Sequence, residues 1–90
     1  MKKINIKGSI MSDGSEWLAN YGYSVTTPKQ VIDILNDAKG EDIELYINSP
    51  GGSTMAASEI YSSIREYKGN VVAKIVGYAA GAASWIALAA

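Results

Sequence analysis

The sequence predicts an α/β fold in which strands and helices alternate, β-α-β-α-β-α, around a mostly parallel sheet. Three observations carry this. Short apolar runs around Ile4–Ile10, Ile43–Ile47 and Val71–Val76 have strand character, and stretches of helical period separate them. The segment Thr27-Pro28-Lys29-Gln30 is a complete helix-start signal between the first two runs. The connections are short enough for crossovers between neighbouring parallel strands, with no internal repeat or low-complexity tract between them.

Taken in order, Ile4, Ile6 and Ile10 flank Gly8 and predict an opening strand with period-two alternation and a bend. Met11 to Ser24 is polar and rich in Gly and Ser, so it reads as a loop with one helical turn around Trp17. Its aromatics, Trp17, Tyr21 and Tyr23, are expected to pack on the domain or on a neighbouring subunit. Thr27 then caps a helix with Pro28 at its first position and Gln30 completing the capping box. Val31, Ile34, Leu35 and Ala38 form its apolar face, and Gly40 stops it. Ile43, Leu45 and Ile47 make a second strand. Ser53 caps a second helix whose Met55, Ala56, Ile60, Ile64 and Tyr67 recur at helical spacing until Gly69-Asn70. A third strand covers Val71 to Val76, and a third helix begins near Ala79. Its end, Trp85-Ile86-Ala87-Leu88-Ala89-Ala90, is apolar on all sides, which predicts deep burial. Nothing else in the sequence is left to cover it, so we expect the N-terminal portion of a larger domain, or a partner chain over this helix.

Composition narrows the function. Hydrophobic residues make up 48% of the 90, enough for a core. Eight basic and nine acidic residues are interspersed and give a net charge of −1, so there is no electrostatic footprint for nucleic acid or an anionic membrane surface. With no cysteine, disulfides and thiolate metal sites are excluded; with no histidine, neither a Ser-His-Asp constellation nor an imidazole metal site can be completed within these residues. The basic N-terminus lacks the apolar run of a signal peptide, which reads as cytoplasmic. Val71 to Ala90 carries only Lys74, yet Gly77 breaks it into a strand and a separate apolar segment, against a membrane span. Asp33, Asp37, Glu41, Asp42 and Glu44 read as a solvated face without converging partners, and neither a metal nor a cofactor site is expected.

The chemistry concentrates at two strand ends. Asn48-Ser49-Pro50-Gly51-Gly52 follows the second strand and opens on the Ser53-capped helix. Taken alone it reads as a tight connector; the same junction can also leave backbone N–H groups free at a helix start, where they favour an anion. Gly77-Tyr78-Ala79-Ala80-Gly81-Ala82-Ala83-Ser84 follows the third strand. Its small residues permit either close helix packing or close approach of a substrate backbone. Ligands of parallel α/β sheets sit at the carboxyl ends of the strands, where these two loops face one another.

Together these segments resemble the Clp protease proteolytic subunit family, within the wider Clp/crotonase-type fold. The resemblance runs through Tyr46-Ile47-Asn48-Ser49-Pro50-Gly51-Gly52, Ile60-Tyr61 and Gly77-Tyr78-Ala79-Ala80, without gaps from Ile43 to about Ala90. Ser15-Glu16-Trp17 and Ser24-Val25-Thr26 are more similar to the Clp-type proteases of phage and prophage head-morphogenesis modules than to the housekeeping enzyme. The resemblance implies serine-nucleophile peptide hydrolysis through an acyl-enzyme. It places oxyanion-hole N–H groups at Gly52 and Ala82, and substrate-strand pairing around Gly51 to Ser53. It implies polypeptide substrates such as capsid or scaffold proteins, a ring-like homo-oligomer and an ATPase partner.

The sequence departs from this pattern at the nucleophile position, which falls on Gly81. Ser84 is the nearest hydroxyl and the alternative nucleophile. On a helix starting near Ala80 it lies almost a full turn away, which suits a packing or capping residue. A Ser84–Lys74 dyad has no further support. The family's His and Asp would lie beyond Ala90, so residues 1–90 read as a single partial domain, inactive by itself. A non-catalytic assembly subunit of a Clp-like ring is the second reading. An acyl-CoA-handling relative on the same fold is a poor fit to Asn-Ser-Pro-Gly-Gly.

Overall fold

A computed structural model describes residues 1–90. The sheet has the order β2-β1-β3-β4, from Val25–Thr26, Lys2–Ile10, Ile43–Gly52 and Val71–Ala79, and every pairing is parallel. The helices are α1 (Pro28–Ala38), α2 (Thr54–Glu66) and α3 (Ala82–Ala89), and a 3-10 turn covers Glu16–Tyr21. The α/β class and the alternation of elements are as the sequence predicts.

Period-two alternation builds the core. Ile4, Ile6 and Ile10 of β1 and Ile43, Leu45 and Ile47 of β3 point to the helical layer and are buried. Val31, Leu35 and Ala38 of α1, Ala56, Ala57, Ile60 and Ile64 of α2, and Ala82, Ala83, Ile86 and Ala89 of α3 meet them in one cluster. The capping box of α1 is formed on both sides, Gln30 N–H donating to Thr27 Oγ1 and Thr27 N–H to Gln30 Oε1. Ser53 Oγ likewise accepts Ala56 N–H at 3.1 Å to start α2.

Parallel sheets usually bury both faces. Here the outer face is open instead, with Val72 and Val76 of β4 exposed on it beside a polar group on β1 and β3. Lys3 and Lys74 hold their ammonium groups over the Tyr46 ring, 5.1 and 5.6 Å from its centre. Lys74 Nζ also lies 2.7 Å from Glu44 Oε2. That hydrogen bond is the main cause holding the Glu44 carboxyl below its ordinary 4.5, and it raises Lys74 above 10.5. The carboxylate's contribution is therefore present above about pH 4.5 and lost as pH falls through the lowered folded value; the ammonium's is lost only above 10.5. Urea midpoints of the parent and Glu44→Gln are expected to differ at neutral pH and to converge in acid; a gap that persists in acid would show the charge is not the cause.

Several boundaries differ from the sequence reading. β2 is new: two residues are too few for periodicity to register. β3 runs through Asn48 to Gly52, so the expected turn is extended strand. Proline is normally barred from a central strand. It is tolerated here because the ladder to β1 skips from Asn48 to Gly51 and the ladder to β4 ends at Ser49, leaving Pro50 unpaired. β4 continues past Val76 to Ala79, and α3 begins at Ala82 rather than near Ala79. Deep burial of the last helix holds for Ile86 and Ala89 but not for Trp85 and Leu88, which are exposed. Met55 in the first turn of α2 is also exposed. Trp17, Tyr21 and Tyr23 stay in solvent, and Trp17 meets Tyr21 edge-to-face at 5.8 Å instead of packing on the domain. The segment Val71–Ala90 divides into β4 and the eight-residue α3, and no helix is long and apolar enough to cross a membrane.

Candidate functional site at the ends of β3 and β4

The motif's first two residues sit on opposite faces of β3, and each fills a break in a ladder. Between Lys7 and Ser9 of β1 the pairing on β3 advances from Asn48 to Gly51, one residue more than β1 does. The buried Ser49 hydroxyl occupies that bulge, donating to Gly8 O at 2.6 Å and accepting Gly51 N–H at 3.1 Å. On the other side, β3 advances from Ile47 to Ser49 while β4 advances from Ile75 to Ala79. Asn48 fills this second break, its Oδ1 accepting Tyr78 N–H at 3.3 Å. Ala80 N–H then donates to Ser49 O at 3.1 Å, and β4 turns into α3.

These breaks bring the two loops together. Gly51 is buried against the second loop: a β-carbon on it would stand 2.9 Å from Ala80 O and 3.2 Å from Ala82 N. Gly81 is exposed at the N-cap of α3 with φ 52° and ψ −128°, the kind of tight strand-to-helix elbow that costs any residue with a side chain. A β-carbon there would meet only Pro50 O, at 3.6 Å, an ordinary contact. Ala82, the first residue of α3, has no acceptor within its helix, and no turn or cap bond takes up its N–H or that of Gly52.

Other predicted site residues are already engaged. Gly51 N–H is held by Ser49 Oγ, and Ser53 N–H donates to Ile10 O at 2.8 Å. Of Gly51 to Ser53, then, only Gly52 keeps an N–H outside these bonds. Ser84 Oγ donates to Gly81 O at 2.6 Å, tied to the first turn of its own helix. Lys74 is paired with Glu44 on the outer face of the sheet, away from α3, so the Ser84–Lys74 dyad is not formed. Apart from the Tyr78 phenol, residues 48–53 and 77–84 carry no titratable side chain, so neither loop supplies a general base. The acidic residues diverge: Asp33 to Lys29, Asp37 to Lys2 and Glu44 to Lys74.

The sequence reading missed the tasks of Asn48 and Ser49 and the elbow at Gly81. The signal available was Gly77. Its conformation is ordinary, so a glycine there points to a neighbour filling its β-carbon's place.

The chain is similar to proteins of one family throughout. The Clp protease profile matches residues 21–90. Over 67 residues the chain is 37% identical to the ATP-dependent Clp protease proteolytic subunit 2 of Prochlorococcus marinus strain MIT 9312, covering 74% of this chain and 33% of the relative. It is 39% identical over 55 residues to ATP-dependent Clp protease proteolytic subunit 4 of Rhodococcus jostii strain RHA1, covering 61% and 28%. ClpP1 from Listeria monocytogenes superposes with a TM-score of 0.70 at 27% identity, over 98% of this chain and 46% of that one. The chain thus spans about a third of the curated relatives it matches, and it belongs to the Clp protease family.

Proposed function

We propose that residues 1–90 are the N-terminal part of a Clp-like serine endopeptidase domain of the phage head-maturation kind, and that the chain as it stands does not cleave peptides. The observation that carries this is the elbow at Gly81. It stands at the strand-to-helix junction where a nucleophile would be presented, in contact range of Pro50 O, with N–H groups on Gly52 and Ala82 that no turn or cap bond takes up. In peptide hydrolysis a serine Oγ at position 81 would attack the scissile carbonyl, its proton passing to a base. The resulting oxyanion would accept hydrogen bonds from Gly52 N–H and Ala82 N–H, and its collapse to an acyl-enzyme would release the amine. Gly81 offers no oxygen for the first step, and there is no histidine to take the proton.

The phage-type assignment rests on the first forty residues, especially Ser15-Glu16-Trp17 and Ser24-Val25-Thr26. In this reading the working protein is cytoplasmic and assembles into a ring, with capsid or scaffold polypeptides as substrates and an ATPase as partner. The second reading, a non-catalytic subunit of such a ring, is favoured by Gly81 itself and by the exposed Trp85 and Leu88.

The test is Gly81→Ser in a full-length reading frame that continues through a His and an Asp. A serine-directed fluorophosphonate is expected to label the variant at residue 81 and to leave the parent untouched. No adduct on the variant would remove position 81 from the nucleophile role. A stop directly after codon 90 would favour the assembly subunit.

A further inference from the structure

We infer that Asn48 is a positioning residue: its carboxamide, wedged into the break between β3 and β4, sets where β4 delivers residues 80–82 against Pro50 and Gly51. The inference rests on the reading of that junction as one wall of the site. The register makes the argument. From Ile47↔Ile75 to Ser49↔Ala79, β3 advances two residues and β4 advances four. Unbroken pairing from Ile47↔Ile75 would set Ser49 opposite Gly77, Gly51 opposite Ala79 and Ser53 opposite Gly81. Residue 81 would then lie two positions, about 6.6 Å, further along the strand, beyond Gly51. The two extra residues in β4 draw it back.

Such a break costs ladder hydrogen bonds, and an unmatched N–H needs an acceptor. Asn48 supplies it, with Oδ1 3.3 Å from Tyr78 N. The same side chain fills the space above Gly77. A β-carbon on Gly77 would fall 2.1 Å from Asn48 Oδ1, 2.4 Å from its Cγ and 2.8 Å from its Nδ2. Gly77 is not among the glycines with positive φ, so its backbone would accept alanine. Asn48 is what requires glycine there. The two residues therefore form a plug and its seat, 29 positions apart in sequence, and neither offers a nucleophile, an oxyanion donor or a proton acceptor to the reaction.

The test is a double-mutant cycle on Asn48→Ala and Gly77→Ala, with Asn48→Asp as the conservative variant. Asn48→Asp keeps an oxygen acceptor at that place and sets it opposite Lys7 in the ladder. Gly77→Ala is expected to lower the urea midpoint sharply in the parent and much less in the Asn48→Ala background. Amide exchange at Tyr78 should rise about tenfold in Asn48→Ala, as for loss of one hydrogen bond, and stay near the parent rate in Asn48→Asp. The Gly51 and Ala82 amide resonances should move in Asn48→Ala and return in Asn48→Asp, which a generally loosened sheet would not produce. Equal cost of Gly77→Ala in both backgrounds overturns the inference. If Gly77→Ala does not fold, an unchanged Tyr78 exchange rate in Asn48→Ala overturns it equally. None of these readouts involves peptidase activity, so failed phosphonate labelling together with intact coupling would remove the functional reading alone.

Discussion

Replacing Gly52 with alanine is expected to cost more than about 3 kcal/mol and to lower the urea midpoint of the chain sharply. Two penalties coincide at this residue. Its φ of +146° lies where residues with a β-carbon are strained, by roughly 1–3 kcal/mol. The added carbon would also stand 2.2 Å from Ile10 O and 2.8 Å from Ile10 N, both backbone atoms that no rotamer change can move. Relief requires β1 and β3 to part where Ser53 N–H bonds Ile10 O. A domain of this length is stabilised by roughly 5–13 kcal/mol in total, so the loss is a large fraction of it. Urea unfolding followed by far-ultraviolet circular dichroism measures it. A cost under about 1 kcal/mol would contradict the placement of Gly52 against Ile10. The same crowding pins the backbone on either side of Gly52 N–H, which no turn or cap bond takes up, by contact with β1.

What the sequence made legible was whatever repeats with a period or carries a local signature. Apolar residues at alternate positions announced β1 and β3, and Thr27 with Gln30 announced the start of α1, because alternation and capping act within a few residues. The site was half legible. Asn48-Ser49-Pro50-Gly51-Gly52 pointed to the right place, while its residue types, common in turns, suggested a connector where there is extended strand. The conformation of Pro50 and Gly51 depends on ladders to β1 and β4, contributed by residues roughly forty before and thirty after. No local propensity reports such partners. The side on which Trp85 and Leu88 lie exposed was not legible for a related reason: an all-apolar helix states a need for cover, and only the packed structure says which side this chain covers itself.

Ile47→Ala is expected to cost about 2–5 kcal/mol, while Ile75→Ala, in the same row of the sheet, should cost less than about 1 kcal/mol. Ile6, Ile47 and Ile75 are consecutive ladder partners across β1, β3 and β4. The first two are fully buried and Ile75 is 57% exposed, although the pairing sets all three on the helical face. Truncating Ile47 leaves a cavity in the core cluster under the helices that close-packed neighbours fill only in part. Truncating Ile75 removes atoms that already touch water. Urea midpoints of the two variants against the parent test this; similar costs would mean that β4 lies under the core as β3 does. The contrast bears on the site, because β4 carries Gly77 and leads into Gly81. With little burial to hold it, β4 is held in register chiefly by its ladder to β3, the Asn48 carboxamide and the bond from Ala80 N–H to Ser49 O. A buried strand keeps its place by packing over its whole length; this one depends on a few directional bonds beside the residues it presents.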